Sequence, residues 1–174
     1  IVVAEELDAD WETIQVVQAA LDSKKFERQV AGGSGSIPHS WERLRKAGAS
    51  ARYLLIAAAA QQWKVPASEC TTSKGNVYHK TSGRSANYGS LATVASKLTL
   101  PNDIALKSEK DFTLIGQTIK NVDNQGIITG KPLFGIDFYR EGMLFAVIER
   151  PKVFGSKIKS LNADAARSMP GVID

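Results

Sequence analysis

Cysteine and histidine are scarce in this 174-residue chain, which has one cysteine, Cys70, and two histidines, His39 and His79. A single cysteine excludes an intrachain disulfide, a zinc site of the CxxC type and iron–sulfur ligation by this chain. A Ser–His–Asp site would have to use one of the two histidines. We expect Cys70 to be a structural thiol, His39 to lie in the first turn of a helix and His79 to be exposed in a hairpin.

Long apolar runs and concentrated charge are also missing. No apolar run approaches the ~20 residues of a membrane-spanning helix, and the alanine-rich run at 54–60 is flanked by Arg52 and Lys64. The net charge is +4, with 22 basic residues scattered among 18 acidic ones. The cluster Arg43-Leu44-Arg45-Lys46 is partly offset by Glu42, which is typical of a solvated helix face. We therefore expect neither a membrane span nor a nucleic-acid partner.

A glycine-serine run, Ala31-Gly32-Gly33-Ser34-Gly35-Ser36-Ile37-Pro38, precedes an amphipathic stretch from about residue 40 to residue 63. Glycines let the backbone approach a ligand, and the free N–H groups of a helix start attract anions. The run is not a P-loop, because no Gly-Lys-Ser or Gly-Lys-Thr follows. Pro38 stands where the dinucleotide fingerprint has its third glycine. The run therefore predicts an anion-binding junction, with a merely flexible loop as the alternative.

Hydrophobic periodicity predicts a mixed helix and strand fold with a boundary near Asn124. Glu5, Glu6, Asp8 and Asp10 are interpreted as the exposed, negatively charged face of a first helix rather than as catalytic carboxylates. We expect helices at residues 2–7, 40–63, 88–98 and 160–169, strand-like runs at 13–18, 133–137 and 143–149, and a β-hairpin of residues 70–73 and 77–80.

Several motifs occur in an order that resembles the large, molybdopterin-binding subunit of the xanthine dehydrogenase and aldehyde oxidase family, in the branch typified by the isoquinoline 1-oxidoreductase beta subunit. They cover nearly the whole chain. The motifs are Val3-Ala4-Glu5-Glu6-Leu7-Asp8-Ala9-Asp10-Trp11, Gly32-Gly33-Ser34-Gly35-Ser36, Ser40-Trp41-Glu42-Arg43-Leu44-Arg45-Lys46-Ala47-Gly48-Ala49, Trp63, Val65-Pro66-Ala67, Cys70, His79, Ser82-Gly83-Arg84, Tyr88-Gly89, Gly130-Lys131-Pro132-Leu133-Phe134-Gly135-Ile136-Asp137, Gly142-Met143-Leu144 and Pro170-Gly171-Val172.

The resemblance implies an α/β (α+β) fold in two parts. Residues 1–124 would be a partial molybdopterin-binding region with a hairpin-helix insertion, and residues 125–174 the start of an α/β hammerhead-like domain. It implies a molybdenum–molybdopterin cofactor in its cytosine dinucleotide form, contacted near its phosphate end by Gly33, Ser34, Gly35 and Ser36. The family often has arginine after the first serine of this loop, where this chain has Gly35.

The resemblance further implies a bacterial molybdenum hydroxylase that oxidises an N-heterocycle or aldehyde with oxygen from water and passes electrons to an iron–sulfur partner. The compartment stays open between cytoplasm and periplasm. The family's glycine-glutamine-glycine loop is expected before Ile1 and its catalytic glutamate beyond Asp174. We therefore expect a fragment with no catalytic residue and no metal ligand, which by itself is inactive and holds no cofactor tightly.

Two other interpretations remain open from the sequence. The chain could be a non-catalytic interaction module, with residues 100–124 and the exposed helix stripe docking to another chain. It could also bind a nucleotide phosphate through the same glycine-serine run.

Overall fold

The computed structural model describes residues 1–132 and 134–173. They divide into two units, the first spanning Ile1–Gln125 and the second beginning at Gly126. Helices and a small antiparallel sheet confirm the predicted α/β (α+β) class. The assignment of the two units to a molybdopterin-binding region and a hammerhead-like domain stays a prediction.

The first unit contains most of the regular structure. Its α-helices are α1 (Val2–Leu7), α2 (Ser23–Phe26), α3 (Ser36–Trp63) and α4 (Tyr88–Ala95), and α5 (Asn124–Ile128) begins at its end. Its strands are β1 (Cys70–Ser73), β2 (Asn76–His79) and β3 (Arg84–Asn87). Short 3₁₀ turns occupy Trp11–Thr13, Ala67–Glu69, Lys80–Ser82 and Glu109–Asp111.

The scaffold of this unit is α3, a helix of 28 residues and therefore about 42 Å long. It begins at Ser36, four residues earlier than predicted, because Gly35 already serves as its N-cap. Pro38 thus lies in the first turn, where its missing N–H costs no helix bond. Lys64 ends the helix in the left-handed conformation, and its backbone N–H bonds the carbonyls of Ala60 and Gln61.

Helix α1 packs directly on α3 at Gly48. A Cβ at that position would lie 2.6 Å from the backbone oxygen of Val3 and 2.8 Å from the Cβ of Glu6. Only glycine therefore allows the two helices to come this close. The contact buries the face of α1 that carries Glu5 and Glu6.

The sheet pairs β1, β2 and β3 in sequence order. The predicted hairpin is present, but its turn has two residues, Lys74 and Gly75, both with positive φ, and not the predicted three, because Asn76 already pairs with Ser73. The third strand was not predicted, since Arg84–Asn87 lacks apolar alternation. The sheet and α4 cover the second half of α3 around a shared core. That core contains Leu55, Ala58, Ala59, Ala60, Cys70, Val77, Leu91 and Ala95.

The strand predicted at residues 13–18 was wrong. Trp11–Thr13 forms a 3₁₀ turn, and the residues that follow, up to Asp22, form no regular structure and have no strand partner among the residues described. Val16 and Val17 are exposed. A β-type run needs a neighbouring strand to satisfy its backbone groups, and periodicity does not supply one.

The second unit has little regular structure. It contains a 3₁₀ turn at Gly135–Asp137 and the short helix α6 (Asp164–Arg167), less than the predicted helix at 160–169. The strand-like runs at 133–137 and 143–149 were wrong for the described residues, and Leu133 lies outside them. Phe145 is 80% exposed and Val147 is 97% exposed, and none of the hydrophobic residues described in this unit is fully buried.

No helix in residues 1–132 and 134–173 combines the length and the apolar character that a membrane crossing demands.

Candidate functional site

The glycine-serine loop turns sharply just before α3. Gly33 and Ser34 both have positive φ, at 59° and 53°, and the Gly35 N–H bonds the Gly32 carbonyl at 3.2 Å. No side chain caps the helix that follows. The first backbone N–H groups of α3 and its positive dipole end therefore face outward beside the serine hydroxyls.

An open depression of about 300 Å³ lies beside this loop. Its lining comprises Glu27, Arg28, Val30, Gly32, Gly35, Ser36, His39, Ser40 and Arg43. Arg43 Nη1 lies 2.5 Å from Glu27 Oε2, and both side chains are exposed. Two guanidinium groups against one carboxylate make the lining favourable for an anion.

His39 lies in the first turn of α3, as predicted. Its Nδ1 is 2.6 Å from the Gly35 carbonyl oxygen. A Cβ at position 35 would lie 2.8 Å from that same nitrogen. The imidazole ring therefore fills the space that a side chain at position 35 would need.

The donors around this depression suit phosphate oxygens. Backbone N–H groups, serine hydroxyls and guanidinium groups all donate hydrogen bonds, and two of the three carry no competing acceptor. Within residues 1–132 and 134–173, no three side chains of the His, Cys, Asp and Glu types converge as metal ligands. The donors that line the depression thus suit an anion such as a phosphate group.

A second polar cluster is buried on α1, where the sequence predicted an exposed acidic face. That prediction was wrong for Glu5 and Glu6, whose exposure is 0%. Glu5 Oε2 accepts bonds from three successive backbone N–H groups, of Thr113 at 2.9 Å, Leu114 at 2.6 Å and Ile115 at 2.9 Å. Three aligned N–H groups form an anion nest, which here holds a carboxylate of the chain itself.

Burial and hydrogen bonding change the pKa of Glu5 in opposite directions, and the hydrogen bonds together have the larger effect. Burial by itself would raise the pKa of this carboxyl group. Bonds from the backbone of Ile115, Leu114 and Thr113 and from Lys107 outweigh burial and lower the pKa to about 2. Glu5 is therefore ionised at neutral pH although it is buried.

Glu6 and Asp8 extend the cluster toward α3. Glu6 Oε1 lies 2.6 Å from Arg45 Nη2 and also accepts the bond of Arg45 Nε at 2.7 Å. Asp8 pairs with Lys107 Nζ at 2.5 Å. The Arg45 guanidinium lies near the rings of both Trp41 and Phe112, 5.5 and 5.2 Å from their centroids, and the two rings contact each other edge-to-face.

The cluster binds one segment, residues 104–117, to α1 and α3; we call this segment the strap. Lys107 and the backbone of Thr113–Ile115 provide its bonds to Glu5 and Glu6. Much of the 100–124 segment that was considered for docking to another chain is thus engaged within the same unit. The separation of about 100 residues between partners explains why no local pattern revealed this cluster.

His79 is buried, so the prediction of an exposed histidine was wrong. Its Nδ1 lies 2.7 Å from Ser82 Oγ, and its Nε2 lies 2.9 Å from Glu69 Oε2. His79 and Val77 are two residues apart and therefore lie on the same face of β2, the face that packs on α3. These bonds join β2 to the 3₁₀ turn that follows it and to the 3₁₀ turn that precedes β1.

Cys70 is buried in the core, in agreement with a structural thiol. Burial raises the pKa of its thiol, and Glu69 adds to the effect. The thiol therefore stays protonated and unreactive at neutral pH.

Comparison with known proteins adds a family and three relatives. The family model for the molybdopterin cofactor-binding domain matches residues 1–149. The beta subunit of isoquinoline 1-oxidoreductase from Brevundimonas diminuta is 32% identical over 98% of this chain. A membrane-bound aldehyde dehydrogenase (pyrroloquinoline-quinone) from Gluconacetobacter polyoxogenes is 28% identical over 99%. The B subunit of nicotinate dehydrogenase from Pseudomonas putida is 26% identical over 99%.

These relatives are much longer than the chain. The aligned region spans 27%, 23% and 15% of their respective lengths. The similarity therefore covers nearly all of this chain but only one part of each relative.

Proposed function

The chain belongs to the molybdopterin cofactor-binding domain family, and on this premise we propose that it forms one wall of a molybdenum–molybdopterin site in an oxidoreductase. The observation that carries the proposal is the uncapped start of α3 beside a depression with two arginines, within the region that matches the family. The family match favours this function over a non-catalytic interaction module.

We assign the phosphate end of the cofactor to the loop Gly33, Ser34, Gly35 and Ser36. Gly33 and Ser34 turn the chain with positive φ just before α3, and the start of α3 adds its dipole. The cytosine dinucleotide form is part of the proposal, since its diphosphate would present several anionic oxygens to these donors. When bound, the cofactor supplies the redox chemistry, while the residues of this chain bind and orient it.

The substrate proposed is an N-heterocycle or an aldehyde, oxidised with oxygen from water. The names of the relatives support this class, because they specify isoquinoline, nicotinate and aldehyde. Electrons would leave through an iron–sulfur partner. Two relatives are named as single subunits of their enzymes, and a chain with one cysteine cannot itself hold such a cluster.

Replacing Ser34 and Ser36 together with alanine, in the protein that carries this chain, tests the loop. We expect the molybdenum content per chain and the fluorescence of the released, oxidised pterin to fall together, by about threefold or more. Loss of two neutral hydrogen bonds of about 0.5–1.5 kcal/mol each would produce this change.

The matched control is the double variant Ser156→Ala and Ser160→Ala, whose serines are exposed in the second unit. It should retain the wild-type molybdenum content. Equal content in both double variants would contradict the assigned loop. A quinone in place of molybdenum in the purified protein would contradict the proposed cofactor.

A further inference from the structure

We infer that the His39 side chain contacts the cofactor phosphate as a cation, a contact that Gly35 cannot make because it has no side chain. The His39 ring takes up a proton when the anion binds. This inference rests on the proposed function of the glycine-serine loop. It concerns one residue of that site and a pH dependence that follows from it.

The space around Gly35 supports the inference. The His39 ring occupies the volume of a side chain at position 35, since a Cβ there would lie 2.8 Å from Nδ1 and 2.9 Å from Cε1. Any residue other than glycine would displace the ring. Gly35 and His39 thus form a matched pair at the edge of the depression, which both residues line.

The hydrogen bond of the ring determines which nitrogen can titrate. A carbonyl oxygen only accepts, so Nδ1 must carry the proton in its 2.6 Å bond to Gly35. Nε2 has no protein partner within residues 1–132 and 134–173. In the neutral ring Nε2 has no proton to donate, and in the protonated ring it becomes a donor with positive charge.

The other charged groups lining the depression are Arg28, Arg43 and Glu27. Arg43 is paired with Glu27 at 2.5 Å, so part of its charge is already balanced. Both arginines keep their charge at every accessible pH. An anion beside the His39 ring favours its protonated form over its neutral form, whereas the guanidinium groups have no neutral form to change from.

The two histidines make a direct test by NMR simple, because the 174-residue chain has only two imidazole Cε1–H signals. Inorganic sulfate is the probe, since its charge is constant across the titration range. We expect sulfate, against chloride at equal ionic strength, to raise the titration midpoint of His39 by about 0.5 pH unit. The buried His79 is the internal control and should not move.

Two variants make this result specific. Gly35→Ala should abolish the sulfate effect because its Cβ displaces the ring, and Arg43→Gln should weaken it while leaving a measurable shift. An equal response of both histidines, or none from His39 in the wild type, would overturn the inference.

Cofactor retention provides a second readout, in the protein that carries this chain. A midpoint shift of 0.5 unit corresponds to about threefold tighter binding with the ring protonated. Molybdenum content after dilution and gel filtration should therefore be about threefold higher at pH 6 than at pH 8. In His39→Gln it should be low and equal at both pH values, whereas His39→Lys should restore retention without the pH dependence.

The serine double variant separates the two proposals. If Ser34→Ala with Ser36→Ala loses molybdenum and His39→Gln behaves as wild type at both pH values, His39 has no such role but the loop assignment stands. If both retain wild-type molybdenum at both pH values, the proposed function of the loop itself is overturned.

Discussion

At the residue scale, the Glu5 side chain is buried although the sequence pattern predicts it on the surface. Glu5 belongs to a pair of adjacent carboxylates, and such pairs are usually solvated. In the fold it is buried because three backbone N–H groups and Lys107 replace its water. Burial of a carboxylate is tolerated only with such partners.

Replacing Glu5 with glutamine should destabilise the first unit by about 2–3 kcal/mol. The substitution keeps the shape but removes the charge that four donors surround, and a charged acceptor bonds more strongly than an amide. Urea unfolding followed by circular dichroism measures the change. Glu12→Gln, at an exposed position beyond α1, is the matched control and should change stability by less than about 0.5 kcal/mol. Equal stability of the two variants would refute the structural role of Glu5.

The same residue predicts a pH dependence. Its pKa is lowered from the ordinary value of 4.5 to about 2 in the fold. The stabilisation is therefore fully present above about pH 4.5 and is lost as the pH falls toward 2. The stability difference between wild type and Glu5→Gln should be constant from pH 5 to 7 and should shrink below pH 4.5. A difference that grows on acidification would contradict the assignment.

At the element scale, α3 organises both polar sites. Its first turn carries His39 and the exposed start of the helix, and Arg45, two turns in, reaches the buried carboxylate of Glu6. Its amphipathic spacing predicted the helix well, because a periodic stripe of this length has few alternative structures. The hairpin was predicted from its turn. Strand β3 was not predicted, because its formation depends on pairing with β2 rather than on a pattern in its own residues.

Gly48→Ala should test the packing of α1 on α3. Alanine favours the helix by about 1 kcal/mol over glycine. Its Cβ would nevertheless meet the Val3 carbonyl at 2.6 Å, so α1 must shift, and overpacking costs about 1–3 kcal/mol and more when backbone is the obstacle. We expect a net loss of about 1–2 kcal/mol in urea unfolding. Gln61→Ala, exposed on the same helix, should remain within about 0.5 kcal/mol of wild type; stabilisation by Gly48→Ala would contradict the close contact.

At the scale of the whole molecule, the two units differ in the amount of buried core and in the polar contacts within each unit. The first has a core and a buried ionic cluster, with no unpaired buried side-chain polar atom among the residues described. The second exposes large apolar side chains, and its regular structure, as far as its residues are described, consists of short helical turns. Local opening should therefore be far easier in the second unit than in the first.

Limited digestion with trypsin should reveal this difference. Arg140, Lys152 and Lys157 lie in exposed, irregular backbone, whereas Arg45 and Arg52 lie within α3 and bond the buried carboxylates. Early cleavage should occur at the first three positions, and the fragment ending before them should persist. Mass spectrometry of the digest identifies the sites, and equally fast cleavage within α3 would contradict the stability of the first unit.

The sequence by itself determined the fold class, the family, the long helix, the hairpin and the place of the glycine-serine loop. These features depend on local periodicity, on turn residues and on motif order, all of which are present in neighbouring residues. Only the tertiary structure decided that Glu5, Glu6 and His79 are buried, that the strap is bound to α1, and that the His39 ring fills the space beside Gly35. Burial and long-range pairing depend on which elements pack together, so residues about 100 positions apart become partners without any local signal of it.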